Sequence, residues 1–158
     1  MKTFNVKPVG HVKTNEGRFF IELNSEYIPA IKQLDGFTHI NVLWWFHQLD
    51  SEEYRSILEV EAPYKNSPKV MGIFATRSPM RPNPIALTAC QVTEIDTEKG
   101  RIYLAYIDAE DNSPVLDIKP YTPSLDLVSS FSSPDWCSHW PKCLEESGEF
   151  NWEKEFNF

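Results

Sequence analysis

The sequence predicts a mainly β protein, an antiparallel barrel or strongly curved sheet with a few small helices, on three observations. Apolar residues fall in short runs of β-favouring types separated by turn residues. Along residues 101–107 both alternating faces are apolar, Ile102, Leu104 and Tyr106 opposing Tyr103, Ala105 and Ile107, which requires a closed or covered sheet. At 158 residues the chain has the length of one domain able to bury a core without disulfide staples.

Taken in order, residues 5–13 and 18–24 read as strands joined by the turn Asn15-Glu16-Gly17. Ser25 reads as a helix cap, followed by Tyr27, Ile28, Ile31 and Leu34 at helical spacing. Pro29 lies in the first turn, where its missing donor costs little, and Gly36 can close the end. Residues 39–46 form a near-continuous apolar run, read as a strand covered on both faces. A second helix begins at Asp50 or Ser51 and runs to Ile57 or Leu58. Residues 69–75 and 85–95 read as strands flanking a proline-rich loop, and residues 97–100 turn the second into the strand at 101–107. After Ser124 large aromatics (Trp136, Trp140, Phe150, Trp152, Phe156) stand in a polar, acidic background. A barrel domain over residues 1–128 and a C-terminal extension over 129–158 are expected. The extension either docks its rings on the barrel or covers a substrate or partner subunit.

The net charge of −8 disfavours a general nucleic-acid binder, since phosphate contacts dominate such affinity. The acidity is uneven, however: residues 65–81 carry Lys65, Lys69, Arg77 and Arg81 with no acid, which leaves room for a local basic face. No secretory leader is expected after Met1, and the apolar run at 42–46 is too short to cross a bilayer, so the expected compartment is the cytoplasm. Three cysteines without framework spacing fit reduced thiols. Cys137, His139 and Cys143 lack an obvious fourth ligand nearby, so no metal is expected.

Two segments stand apart from core and turn chemistry. Residues 72–85 read Gly-Ile-Phe-Ala-Thr-Arg-Ser-Pro-Met-Arg-Pro-Asn-Pro-Ile, a loop stiffened by prolines. Such a loop can hold the guanidinium forks of Arg77 and Arg81 against a carboxylate or phosphate, or simply leave them solvated. Residues 108–121 read Asp-Ala-Glu-Asp-Asn-Ser-Pro-Val-Leu-Asp-Ile-Lys-Pro-Tyr.

The two motifs ATRSPMRPNPI and PVLDIKPY, with Leu34-Asp35-Gly36-Phe37-Thr38-His39 and Trp45-Phe46-His47-Gln48, resemble the TrmO-like (TsaA-type) family of S-adenosylmethionine-dependent tRNA methyltransferases. The resemblance spans roughly residues 5–128 and is to a short form without the C-terminal domain of longer members. It implies a seven-stranded antiparallel barrel, S-adenosylmethionine as cofactor, and methylation of N6 of the modified adenine beside the tRNA anticodon. It also implies a homodimer with the cofactor near the subunit interface. Carried over residue by residue, it implies cofactor contacts from Phe46, His47, Arg77, Leu87, Asp108, Ala109, Glu110 and Asp111. Asp117 and His47 are candidates for the general base, with Lys119 and Tyr121 as catalytic candidates that orient Asp117 or the acceptor, and an Asp117–Lys119 structural ion pair is the other reading. Arg81 and Asn83 are candidates for substrate contact, although Asn83 can instead bond nearby backbone. A small-molecule or protein acceptor, and a cofactor-binding module without transferase activity, remain open. Ala86 and Asn112 replace glycines of the family pattern. The family's N-terminal Pro-Arg-Gln contact is missing, with Arg18 available to replace it.

Overall fold

The computed structural model describes residues 2–157; Met1 and Phe158 lie outside it. The chain divides into two compact units, Met1–Asp50 with Pro84–Asp126, and Ser51–Asn83 with Leu127–Phe158.

The first unit is a closed antiparallel barrel of six strands. Strands β1 (Gly10–Asn15) and β2 (Arg18–Leu23) form a hairpin. Its turn places Glu16 at φ 50° and Gly17 at φ 77°, the left-handed pair a two-residue hairpin turn needs. Strand β3 (His39–Trp45) directs Ile40, Val42 and Trp44 inward and leaves His39, Asn41, Leu43 and Trp45 half-buried outside. Its outer face is therefore less covered than the apolar run suggests.

The second unit holds a separate two-stranded sheet, β4 (Glu59–Glu61) with β5 (Val70–Gly72). The barrel accordingly closes with six strands and not the seven implied by the resemblance.

Back in the barrel, β6 (Ile85–Asp96) pairs with β3 in its first half and β7 (Arg101–Leu104) in its second, bending where the register shifts at Val92/Glu94. β8 (Pro114–Pro120) pairs with β3 and closes the barrel on β1 through two residue pairs, Gly10↔Val115 and His11↔Pro114. Within the β1–β2 hairpin, an added Cβ at Gly10 would collide with the Glu22 carbonyl. Val12, Ile21, Ile40, Val42, Ile102, Ile107 and Val115 fill the interior, with Trp44 and Leu104 beside them.

Local differences from the sequence reading have local causes. Residues Ser25–Ile31 form a 3₁₀ and not an α-helix, with Pro29 inside, yet they still bury Ile31 as the spacing predicts. Ser51 caps a single α-turn, α1 (Glu52–Arg55), its Oγ accepting from Tyr54 N–H at 3.2 Å. The strand expected over 69–75 ends at Gly72, and Ile73–Ala75 turn as 3₁₀.

The C-terminal segment belongs to the second unit, where its rings gather on Tyr64. It is stitched to residues 62–65 by a Tyr64↔Phe156 bridge, Lys65 N–H to the Glu155 carbonyl (2.9 Å) and Asn157 Nδ2 to the Ala62 carbonyl (2.7 Å). Glu155 accepts from His139 and from Trp140 Nε1, and chiefly the His139 bond holds its carboxyl below the usual range.

All three cysteines are free; Cys90 and Cys137 are buried and Cys143 is exposed. Burial pushes the Cys90 thiol up to about 12, so essentially no reactive thiolate exists there at pH 8. Titration of the native protein with a thiol-specific disulfide reagent should therefore register Cys143 rapidly, and Cys90 only after denaturation.

Candidate functional site

The barrel gathers some of the candidate residues at one end. There β3 ends and both β6 and β8 begin, because Trp45 pairs with Ile85 and Trp44 with Val115. Phe46 continues directly from β3; its N–H bonds the Pro84 carbonyl at 2.9 Å and its ring meets Trp44 edge-on at 4.5 Å. His47 opens the following 3₁₀ turn, half-buried. Leu87 pairs with Leu43 and keeps 48% of its surface exposed. The loop containing Asp108–Asp111 leads into β8 at this same end.

That loop is held by β1. Thr14 N–H donates to Asp111 Oδ1 (2.9 Å), Asn112 N–H donates to the Val12 carbonyl (2.8 Å), and Lys13 Nζ donates to Asn112 Oδ1. Asn112 adopts φ 66°, so the asparagine standing in place of glycine takes the left-handed conformation that residue tolerates best after glycine. The other replaced glycine, Ala86, turns its methyl into the barrel core. Asp108 and Glu110 are exposed, while Ala109 packs on the core. Desolvation and then Asp108 push the Tyr106 phenol up, and its hydroxyl reaches Asp108 Oδ1 at 3.5 Å.

The candidates on β8 run away from that end. Asp117 pairs with Leu43, in the same row as Leu87, whereas Lys119 pairs with Asn41. At ~3.3 Å per residue, Lys119 is roughly 13 Å along the strand from Val115 and Tyr121 farther still. Tyr121 bonds the His39 carbonyl through its N–H and meets the His39 ring edge-on at 6.3 Å. Asp117 is engaged within its own strand: Oδ1 accepts from the Ile118 N–H (2.9 Å) and Oδ2 from Lys119 Nζ (2.6 Å). A cavity of about 290 Å³ on this side of the barrel, between the Ser25–Ile31 turn and β8, is lined by Leu23, Ile31, Leu34, Phe37, Asp117 and Ile118 among others. Its lining includes none of Phe46, His47, Leu87 or Asp108–Asp111. Arg18 is committed elsewhere, with Nη2 on Glu94 at 2.9 Å and its guanidinium 4.2 Å from the Tyr103 ring centre.

In the second unit the proline-rich loop is braced from within. Thr76 is buried, its Oγ1 donating to the Ile73 carbonyl (2.9 Å) and accepting from Ser78 N–H (3.2 Å). Arg81 Nη2 donates to the Ile73 and Thr76 carbonyls, both at 3.2 Å. One of the two arginines thus holds the loop's shape, and Arg77 is the exposed one. Asn83 is exposed. Among the described residues no group of His, Cys, Asp and Glu is placed to hold a metal ion, and no helix is long and apolar enough to cross a membrane.

Sequence reasoning missed Tyr64, which lies outside every motif yet gathers the rings of Trp136, Trp140 and Phe156. Its only signal is an isolated aromatic between Pro63 and Lys65, which does not distinguish it from other surface tyrosines.

Residues 3–127 match the family described as the tRNA-methyltransferase O N-terminal domain. The chain is 34% identical over 138 residues to an S-adenosyl-L-methionine-binding protein of Archaeoglobus fulgidus, covering 78% of this chain and 94% of that one. It is 34% identical over 126 residues to the tRNA (adenine(37)-N6)-methyltransferase of Escherichia coli, covering 78% of this chain and 53% of that one. The crystal structure of TrmO from Pseudomonas aeruginosa is similar with a TM-score of 0.63 at 27% identity, over 83% of this chain and 62% of that one. The chain therefore spans between half and two-thirds of the length of these two methyltransferase relatives.

Proposed function

The chain belongs to the tRNA-methyltransferase O N-terminal domain family, and from that premise we propose that it is an S-adenosylmethionine-dependent methyltransferase acting on N6 of the modified adenine beside the tRNA anticodon. The observation that carries this reading is the pairing of a family match over residues 3–127 with an exposed Arg77 on a loop braced by Thr76 and Arg81. A guanidinium on a preorganised loop suits the methionine carboxylate, since it donates two parallel hydrogen bonds without first ordering its backbone. On the barrel, the Phe46 ring, the exposed Leu87 side chain and the turn at Asp108–Asp111 supply apolar surface and carboxylates of the kind that adenine and ribose hydroxyls require.

When bound, the cofactor supplies an activated methyl on a sulfonium. The chain's own contribution is alignment and exclusion of water, which provides most of the acceleration for such a transfer. His47, half-buried at the gathered end of the barrel, is the candidate to accept the proton from the acceptor amine. Asp117, tied to Ile118 N–H and Lys119, fits better as a residue that fixes β8. A homodimer acting in the cytoplasm completes the proposal. Exposed Ile85 and Leu87 support the dimer, because they offer apolar surface at the start of β6.

The net charge of −8 supports a second reading, in which the acceptor is a small molecule or a protein. Incubation with radiolabelled S-adenosylmethionine and tRNA carrying the modified adenine decides between them. Label recovered as the N6-methyl nucleoside is the expected result. Cofactor binding with no label on any tRNA would remove the tRNA reading and leave the other acceptors or a non-catalytic binding module.

A further inference from the structure

The turn at Ile73–Ala75 sends one side chain inward and the next outward. Ile73 is 2% exposed, whereas Phe74 is 81% exposed. Met71 and Thr76 are buried as well, so the segment is anchored both before and after the exposed ring. The Ile73 carbonyl accepts from three donors: Thr76 N–H (3.1 Å), Thr76 Oγ1 (2.9 Å) and Arg81 Nη2 (3.2 Å). The Ile73 N–H donates in turn to the Leu58 carbonyl at 2.8 Å. Phe74 thus stands in water on a backbone with little freedom to fold it away.

The surroundings narrow what such a ring can meet. Residues 62–93 contain no Asp or Glu but carry Lys65, Lys69, Arg77 and Arg81, in a chain of net charge −8. Arg81 braces the loop, and the Lys65 N–H lies on the Glu155 carbonyl. Lys69, one residue before β5, is exposed and makes no ion pair among the described residues. Arg77 is exposed three residues beyond Phe74, at most about 11 Å along the chain. Glu59 and Glu61 pair with Gly72 and Val70 across the β4–β5 sheet. The patch is therefore not uniformly basic, and phosphate contacts alone would hold a polyanion weakly. An aromatic face adds what those few charges lack, because every nucleobase has a π-face that can stack on it.

We propose that Phe74 is a stacking platform for an unpaired base of the RNA acceptor, with Lys69 on a neighbouring phosphate. Phe74 is then a substrate-binding residue on the same braced loop that presents Arg77, so a base stacked on it lies beside the bound cofactor. This rests on the tRNA reading above. An adenine beside the anticodon belongs to a loop of unpaired bases, the form of RNA whose bases are open to aromatic side chains.

The probe is a fluorescently labelled anticodon stem-loop RNA carrying the modified adenine. Binding to the full chain is measured by anisotropy in the presence of S-adenosylhomocysteine, at several salt concentrations. The variants are Phe74→Ala; Phe74→Leu, which keeps apolar bulk without a ring; Phe74→Tyr, which keeps the ring; and Lys69→Ala. Affinity for S-adenosylmethionine and elution in gel filtration are measured for each.

Phe74→Ala and Phe74→Leu are each expected to weaken RNA binding by about fivefold to 150-fold, with the salt dependence unchanged. Phe74→Tyr is expected to bind like the wild type. Lys69→Ala is expected to reduce the slope of log affinity against log salt by about one. S-adenosylmethionine affinity should stay at the wild-type value throughout. Wild-type RNA affinity in Phe74→Ala, or its recovery in Phe74→Leu, overturns the stacking proposal and leaves the methyltransferase reading standing. Equal weakening of RNA and S-adenosylmethionine makes Phe74 a support of the cofactor loop and overturns it as well. A change from dimer to monomer in Phe74→Ala assigns the ring to a second copy, with the same consequence. If the wild type itself fails to bind the RNA at low salt, the tRNA reading fails first and the stacking proposal falls with it.

Discussion

Arg77→Ala is expected to weaken S-adenosylmethionine binding by roughly tenfold to a hundredfold, the range for losing hydrogen bonds to a charged group, about 1.5–3 kcal/mol. The side chain is exposed, so the change opens no core cavity and the melting temperature should stay close to that of the wild type. Arg77→Lys keeps the charge but loses the planar fork, and an intermediate affinity is expected. Arg81 cannot substitute, because its Nη2 is held by the Ile73 and Thr76 carbonyls. Full affinity in folded Arg77→Ala would remove the carboxylate assignment. The remaining candidates at the end of the barrel (Phe46, His47, Leu87 and Asp108–Asp111) would then have to hold the cofactor through its adenosine.

The β class, the first hairpin and the stiff loop were legible because each rests on local chemistry. Asn15-Glu16-Gly17 can adopt the left-handed turn without tertiary help, and prolines restrict the backbone wherever they stand. The role of residues 114–120 was not legible. Pro114 and Pro120 bound that segment, and a loop and a strand ending in prolines look alike in sequence. The barrel resolves the ambiguity by placing both prolines at the ends of β8, with only a two-pair junction to β1. The split between the two arginines was equally hidden. Arg77 and Arg81 have similar neighbours in sequence, and the turn at Ile73–Ala75 presents carbonyls to the Arg81 guanidinium. The large aromatics of the tail stood out in the sequence, but not what they would meet. The tail's docking partner in the second unit, Tyr64, is more than seventy residues earlier, a distance no local pattern spans.

Trp44→Ala should be the most destabilising single change in the barrel, costing about 3–5 kcal/mol. Trp44 is 4% exposed, sits among Ile40, Val42 and Val115 in the core cluster, and donates from Nε1 to Thr88 Oγ1 at 3.0 Å. Its loss removes a large apolar surface and one hydrogen bond at the point where the β3–β8 register shifts. A domain typically has about 5–15 kcal/mol in total, so the variant should retain only part of its stability and show a much lower guanidinium midpoint by far-UV circular dichroism. The Phe46 ring, packed edge-on against Trp44 at 4.5 Å, loses its support as well. Trp44→Phe separates the two effects: it refills most of the volume and restores a ring for Phe46 but lacks the indole N–H. Recovery of most of the lost stability in Trp44→Phe would assign the cost to packing, while a loss equal to that of alanine would assign it to the Thr88 bond. If Trp44→Ala lowers one phase of a two-phase unfolding curve and leaves the other unmoved, the barrel and the second unit unfold independently; a single shifted transition means they unfold together.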